Sequence, residues 1–276
     1  MLEDEDRDLE VAVRYSVDER SPMVQTDVTV TNMGLEPVLL DSVTSWSSTF
    51  GIPANADEGT ESGLEHWDLL EGRFDWLAEG RWSRKSLREL LPAIGQELTN
   101  VDPRQSHQVV STGTWSTGTN VPLAILESKA MKLAWLFQIE HNGAWRWDVQ
   151  DNTADGCVAL SGPTNENHAW FKELHLGESF TTVPASFTIA HEFDGVIANV
   201  TDYRREVRSP HVDNVEPSVV FNDYMNTIYG DPTTEKELPL IEAAGKAGIE
   251  IFVIDCGWYD DTGNWWPSVG EWMPSK

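Results

Sequence analysis

Positive charge is scarce in this 276-residue chain. It contains 19 lysine and arginine residues and 46 aspartates and glutamates, which gives a formal net charge of −27. Because a nucleic acid or an anionic lipid surface would be repelled by such a chain, we expect neither as a partner. Only seven of the basic residues are lysines. An acidic, lysine-poor surface is typical of a salt-adapted host, and it equally fits an ordinary acidic enzyme.

Cysteines are few and long apolar runs are missing. Cys157 and Cys256 lie far apart in the sequence. Since two thiols cannot build a disulfide framework, we expect both to be reduced. No run of 18 apolar residues could span a membrane. The chain starts with acidic residues, where a signal peptide would be basic and then apolar, so the sequence predicts a cytoplasmic protein.

The motifs of metal and cofactor sites are also missing. The seven histidines show no metal-ligand spacing with one another or with the cysteines. Neither a phosphate-binding loop nor a dinucleotide-binding glycine motif occurs. We therefore expect no metal and no cofactor.

Short alternating segments dominate the chain up to about residue 200. Apolar and polar residues alternate with the period of a half-buried strand, and turn residues separate the segments. The predicted strands are residues 9–17, 24–31, 37–43, 123–127, 133–141, 145–149, 157–161 and 186–192. Strands at this spacing predict an antiparallel β-sandwich. Residues 64–95, which are charged and rich in tryptophan, and residues 100–121, which are rich in Ser, Thr and Gly, are not strand-like.

The last sixty residues have a different pattern. Residues 218–222 form a predicted strand, residues 234–247 a helix that Gly248 ends, and residues 249–254 a second, strongly β-forming strand. Thr234 and Glu237 have the spacing of a capping box. Strand, helix and strand in this order predict a βα unit of a parallel sheet, with chemistry on the loops after the strands. Residues 201–217 form the predicted linker, in which a short helix over 201–212 leads to an extended stretch around Pro210 and Pro217.

These segments resemble a known family in order and spacing. Phe221-Asn-Asp-Tyr224, the helix 234–248, Ile254-Asp-Cys-Gly-Trp-Tyr259 and Gly270-Glu-Trp272 are similar to the start of the catalytic barrel in glycoside hydrolase family 36. That family contains bacterial α-galactosidases and relatives that act on N-acetylgalactosaminides or transfer galactose. The resemblance implies a sandwich domain over 1–200, a linker over 201–217 and the truncated first strands of a (β/α)8 TIM barrel over 218–276. In this family the sandwich lies near the active site, in some members that of a neighbouring subunit, so a homo-oligomer is one expectation for the full-length enzyme.

The resemblance assigns sugar-binding roles to five residues. Asp255 matches the first carboxylate of the family motif Asp-Asp-Gly-Trp, which binds galactose hydroxyls, and a carboxylate directly after a strand suits that task. Trp258, Tyr224 and Trp272 match aromatic positions that form walls of the pocket. Each of these aromatic residues also fits a purely structural role in packing. The fifth residue is Cys256.

Cys256 departs from the family, because many α-galactosidases have a second aspartate there. A thiol is a weak, uncharged acceptor and cannot replace a carboxylate bonded to a hydroxyl. Either Asp260 or Asp261 compensates, or the substrate differs from a plain galactoside at the atom concerned. A nucleophilic role is disfavoured, since no histidine partner is recognisable.

The sequence therefore predicts a fragment of a retaining α-galactosidase-like hydrolase that acts on α-galactosides or related oligosaccharides. The resemblance places the nucleophile and the acid/base on later strands than the two present here, so no catalytic residue is assigned. Two alternatives stay open: an α-N-acetylgalactosaminidase or galactosyl-transferring relative, and a non-catalytic carbohydrate-binding β-sandwich. Reading the gene past codon 276 would separate the enzymes from the binding module.

Overall fold

The computed structural model describes residues 2–4, 8–51, 63–92, 105–152, 155–270 and 272–276. The chain forms two compact units, Met1–Val207 and Arg208–Lys276. The division between them falls inside the predicted linker 201–217. Within the described residues, no helix is long and apolar enough to cross a membrane.

The first unit is built mainly from antiparallel strands. They are β1 Leu2–Asp4, β2 Leu9–Val17, β3 Val24–Asn32, β4 Val38–Leu40, β5 Thr44–Phe50, β6 Asp68–Asp75, β7 Ala78–Ser86, β8 Gln105–Ser111, β9 Asn120–Ser128, β10 Leu133–Ile139, β11 Trp145–Asp151, β12 Gly156–Ser161, β13 Lys172–Leu174, β14 Ser179–Thr181 and β15 Ala185–Ala190. The helices are α1 Leu87–Leu90, α2 Asn165–His168 and α3 Glu192–Val207.

Two sheets form the predicted sandwich. The larger has the order β1-β2-β3-β15-β10-β9-β6-β7, with β14 also paired to β3. The smaller has the order β5-β12-β11-β8, and β4 pairs with β13 separately. All of these pairs are antiparallel. The prediction of a β-rich fold with a large antiparallel sandwich is confirmed.

The larger sheet buries apolar side chains on both faces. Leu69 and Leu126 belong to the core shared with the smaller sheet, where Trp145 and Trp147 also lie. Leu70, next to Leu69 in the chain, and Ile125, next to Leu126, belong to a second core. This alternation follows from the period of a strand, in which successive side chains point to opposite faces.

Helix α3 covers the second core through Val196, Val200 and Tyr203. These residues are spaced four and three apart, so they lie on one face of a helix. The bounds predicted for the short helix, 201–212, are wrong, because a single longer helix spans Glu192–Val207.

The two segments interpreted as not strand-like contain three strands. Residues 64–95 hold the hairpin β6–β7, and residues 100–121 hold all of β8. The hairpin shows no apolar alternation because β7 is an edge strand with largely exposed side chains. Of its tryptophans, Trp76 and Trp82 are exposed, whereas Trp67 just before β6 is buried in the core.

Trp147→Ala should lower the free energy of unfolding of the sandwich by about 3 to 5 kcal/mol, because it empties a large volume in a packed core. The Trp147 ring is fully buried and meets Phe137 edge-on, with ring centroids 5.6 Å apart. Trp76→Ala is the matched control, since Trp76 is 69% exposed, and it should change stability by less than about 0.5 kcal/mol. Urea unfolding of both variants measures the difference. Similar losses in the two would contradict the assignment of Trp147 to the core.

The second unit is a strand–helix–strand unit. Strands β16 Val220–Asn222 and β17 Ile251–Val253 pair in parallel, with Phe221 opposite Phe252, and helix α4 Thr234–Ala247 lies between them in the chain. Helix α4 ends at Gly248, whose φ of 82° and N–H bonds to the carbonyls of Ala244 and Gly245 form a left-handed cap. Gly248 therefore ends the helix as predicted.

The helix has the predicted bounds 234–247, but the predicted capping position is off by one residue. The N-cap is Thr233 and not Thr234, and its side chain makes no capping bond. The side chain of Glu237 is buried and has no hydrogen-bond partner among the described residues. Glu237 therefore does not complete a capping box.

Candidate functional site

The candidate site lies where β16 and β17 end. Because the two strands are parallel, their carboxyl ends meet at one edge of the sheet. Asn222 is the last residue of β16, and Asp255 follows β17 by two residues. Asn222 Nδ2 donates a hydrogen bond of 2.6 Å to Asp255 Oδ2. The loops after the two strands thus meet through these side chains.

The carboxylate of Asp255 is held in a defined orientation and is also exposed to solvent. The backbone N–H of Tyr224 donates to Asn222 Oδ1 at 2.9 Å, which fixes the amide so that its NH₂ group faces Asp255. The backbone N–H of Asp255 donates to Asp223 Oδ1 at 3.0 Å. The side chain of Asp255 is nevertheless exposed to solvent. A carboxylate held in this way can accept hydrogen bonds from a ligand without first being ordered.

The aromatic residues of this unit form two groups. Tyr224 stacks on Tyr229, with ring centroids 5.1 Å apart, and meets Trp265 edge-on at 5.8 Å. Trp258 stacks on Trp272 at 6.0 Å, and Tyr259 meets both rings edge-on at 5.2 Å. The structure therefore joins two predicted wall residues, Trp258 and Trp272, and places Tyr224 in the other group.

Three of these aromatic residues were missed by the sequence interpretation. Tyr229, Tyr259 and Trp265 each contact a predicted wall residue. The sequence did carry a signal for two of them, because residues 258–272 contain five aromatic side chains, at positions 258, 259, 265, 266 and 272. Glu271, between Gly270 and Trp272 in the motif, lies outside the described residues.

Two glycines allow the loops after the strands to pack closely. Gly257 has a φ of 85°, and a Cβ there would lie 2.0 Å from the carbonyl oxygen of Gly230. Only glycine can occupy such a position without displacing the backbone. The backbone at Gly257 thus approaches the loop after β16 closely.

Cys256 packs against the same loop. Its side chain is buried, at 8% exposure, and a Cβ on Gly230 would lie 3.0 Å from its sulfur. Burial, together with the nearby carboxyls of Asp255 and Asp223, raises the pKa of the Cys256 thiol to about 11. At neutral pH the thiol is therefore uncharged. A reactive cysteine, in contrast, is deprotonated to the thiolate.

The two candidates for compensating Cys256 are both engaged in their own loop. Asp260 accepts hydrogen bonds from Thr262 and from the Ser268 hydroxyl, the latter at 2.9 Å. Burial opposes ionisation of Asp260, but these hydrogen bonds outweigh it and lower the pKa of its carboxyl. Asp261 Oδ1 accepts from the backbone N–H of Lys276 at 2.8 Å. Both carboxylates thus have local structural partners.

No metal centre is recognisable in the part of the chain that the structure describes. There, no group of three or more His, Cys, Asp or Glu side chains is arranged to hold an ion. This edge of the sheet offers hydrogen bonding by the carboxylate of Asp255 and stacking by aromatic rings.

Comparisons with curated proteins find α-galactosidases over most of the chain. A probable alpha-galactosidase C of Aspergillus flavus is 23% identical over 257 residues, which is 91% of this chain and 30% of that protein. Alpha-galactosidase Mel36A of Lactobacillus acidophilus is 23% identical over 266 residues, which is 94% of this chain and 32% of that protein. The chain matches no protein-family model. It spans about a third of the length of these curated relatives.

Solved structures show the same fold. The α-galactosidase AgaB of glycoside hydrolase family 36 from Geobacillus stearothermophilus superposes with a TM-score of 0.74 at 20% identity, covering 94% of this chain and 32% of that one. A variant of AgaA from the same organism, in complex with raffinose, gives a TM-score of 0.74 at 19% identity, covering 95% of this chain and 33% of that one. The resemblance to α-galactosidases of family 36 is confirmed by both kinds of comparison.

Proposed function

We propose that this chain supplies the N-terminal sandwich and the first two barrel strands of a retaining α-galactosidase-like glycoside hydrolase. Within it, Asp255 accepts hydrogen bonds from the hydroxyls of a terminal α-galactosyl group, and Tyr224, Trp258 and Trp272 supply apolar ring faces. The observation that carries the proposal is the exposed carboxylate of Asp255, oriented by Asn222 at the carboxyl ends of two parallel strands.

The position of Asp255 supports binding of a ligand over a purely structural role. In barrels of parallel strands, active sites lie at the carboxyl ends of the strands. Asp255 lies at this end of the two strands, where Asn222 Nδ2 donates to one of its two carboxyl oxygens.

The chemical step falls to other residues. A retaining glycosidase needs a nucleophile and an acid/base whose carboxyl groups stand about 5 to 5.5 Å apart across the glycosidic bond. Asp223 and Asp255 do not fit that pair, because Asp223 is buried and bonded to the backbone of Asp255. By resemblance, both catalytic aspartates belong to later strands of the barrel. The residues present here orient the sugar for them.

The substrate is a terminal α-galactoside in this proposal. Relatives of known structure have been solved with raffinose and with stachyose bound, and both observations concern those proteins. In this chain the uncharged Cys256 stands where many α-galactosidases have an aspartate, which favours an N-acetylgalactosaminide or a galactosyl acceptor as the second candidate. The buried position of its sulfur makes the plain galactoside the first choice.

The substrate class can be tested with the full-length protein that contains this chain. Aryl α-galactoside, aryl N-acetyl-α-galactosaminide, aryl α-glucoside and aryl β-galactoside are offered in parallel, and the first sugar released is examined by proton NMR. We expect the α-galactoside to have the highest kcat/KM and to give α-galactose first, since retention requires two inversions. Preference for another glycoside, or release of β-galactose first, would contradict the proposal.

A further inference from the structure

Two buried carboxyl groups, Asp223 and Glu237, interact with each other, and Asp223 also contacts the backbone of Asp255. Asp223 is 1% exposed and directly follows β16, and Glu237 is 6% exposed on the first turn of α4. Among the described residues, Asp223 Oδ2 and both carboxyl oxygens of Glu237 are buried without a hydrogen-bond partner. Three unpartnered oxygens in one place are unusual, because buried polar groups are nearly always hydrogen-bonded.

A proton shared by the two carboxyl groups would supply the missing hydrogen bond between them. Two ionised carboxylates offer only acceptors, so neither can bond to the other, and their charges repel. Once one of them is protonated, its O–H can donate to its neighbour. Burial, followed by the proximity of Asp223, raises the pKa of Glu237 to about 7, although the start of a helix favours a negative charge.

We propose that Asp223 and Glu237 share one buried proton, and that the pair positions Asp255 and hence the bound sugar. The connection runs through Asp223, whose second oxygen, Oδ1, accepts the backbone N–H of Asp255 at 3.0 Å. The Thr227 hydroxyl donates to the backbone carbonyl of Asp223 and so also helps to fix the position of Asp223. The proposal rests on the sugar-binding role proposed for Asp255.

The other charged groups near the pair do not offset its charge. On the loop after β17 these are Asp255, which is also acidic, and the Cys256 thiol, which is uncharged at neutral pH. On α4 itself, Lys236 is paired with Asp231. When the shared proton is lost, repulsion between Asp223 and Glu237 must therefore be relieved by movement. The group attached to Asp223 is the backbone of Asp255.

The sign of the pH effect on stability follows from the pKa of Glu237. Its carboxyl holds a proton up to about pH 7 in the folded chain, against an ordinary value of 4.5. Between these values the folded state binds more protons than the unfolded state, so stability falls as the pH rises through this window. The contribution is complete below about pH 4.5 and lost above about pH 7.

The first arm of the test is urea unfolding of the 276-residue chain, which needs no sugar. We expect the free energy of unfolding of the wild type to fall between about pH 5 and about pH 8. Glu237→Gln keeps a donor at every pH and should remove most of that fall. Glu235→Gln, an exposed change on the same turn, should preserve it. Equal pH dependence in all three proteins would overturn the shared proton.

The second arm is the pH profile of KM and kcat in the full-length protein with an aryl α-galactoside. We expect KM of the wild type to rise on the order of tenfold between about pH 6 and about pH 8, with a smaller change in kcat. Glu237→Gln should flatten the KM profile, and Glu237→Ala should raise KM at every pH. An unchanged KM profile in Glu237→Gln would overturn the positioning role. Absence of α-galactosidase activity would overturn the proposed function and with it the positioning role, while the unfolding arm still decides the shared proton.

Discussion

The 276-residue chain by itself should not hydrolyse an aryl α-galactoside. We propose that it contains residues that orient a sugar, whereas by resemblance the nucleophile and the acid/base belong to later strands of the barrel. Without those two carboxyl groups neither the covalent step nor the proton transfer is assisted. Two strands also leave the proposed sugar-binding edge of the sheet open to water, which should weaken each hydrogen bond to a ligand.

The measurement is release of the aryl group by the purified chain over several hours, with the full-length protein as the positive control. The expected rate equals that of buffer alone. The informative comparison is the chain that carries Asp255→Ala. Turnover that this substitution abolishes would mean that the 276 residues hold a complete active site, and the division of roles proposed here would be wrong.

Periodicity predicted most of the sandwich, because the side chains of its central strands are mostly buried and many of them are apolar. Strands β2, β3 and β9 to β12 were located from alternating or continuous apolar residues. The hairpin β6–β7 was missed for a physical reason: β7 is an edge strand whose side chains are mostly exposed. Pairing with β6 stabilises it, and its own composition does not show this.

In the second unit, the residues that end and cap helices located helix α4 in the sequence, but they did not reveal what the helix contacts. Gly248 marked the end of α4, since only a left-handed residue closes a helix in that way. Glu237 had the spacing of a capping residue, yet its side chain is buried beside Asp223. A contact between residues fourteen positions apart depends on how the helix packs, which spacing along the chain does not reveal.

The candidate site was predicted in part. Asp255 was identified by its position after a strand, but its orienting partner Asn222 was not, because the two meet only through parallel pairing of β16 and β17. The aromatic residues were identified as walls one by one. Their division into two groups depends on the loops around Gly230 and Gly257, whose close approach is a property of the folded chain.

Replacing Asp255 with alanine should lower kcat/KM for an aryl α-galactoside by at least about 100-fold in the full-length protein. A hydrogen bond to a charged group contributes about 1.5 to 3 kcal/mol, so losing two of them costs about 3 to 6 kcal/mol. Each 1.36 kcal/mol corresponds to about a tenfold change. Both kcat and KM should be affected, since a sugar that is held less firmly is also presented less well to the catalytic carboxyls.

Asp261→Ala is the matched control, because Asp261 is an exposed carboxylate six residues further on that accepts a hydrogen bond from the backbone N–H of Lys276. The decisive measurement is therefore kcat/KM of the wild type, Asp255→Ala and Asp261→Ala, determined in one experiment with circular dichroism as a check on folding. The account predicts a loss of at least about 100-fold for Asp255→Ala and less than about threefold for Asp261→Ala. A folded Asp255→Ala protein that retains the kcat/KM of the wild type would contradict the claim that Asp255 binds the sugar.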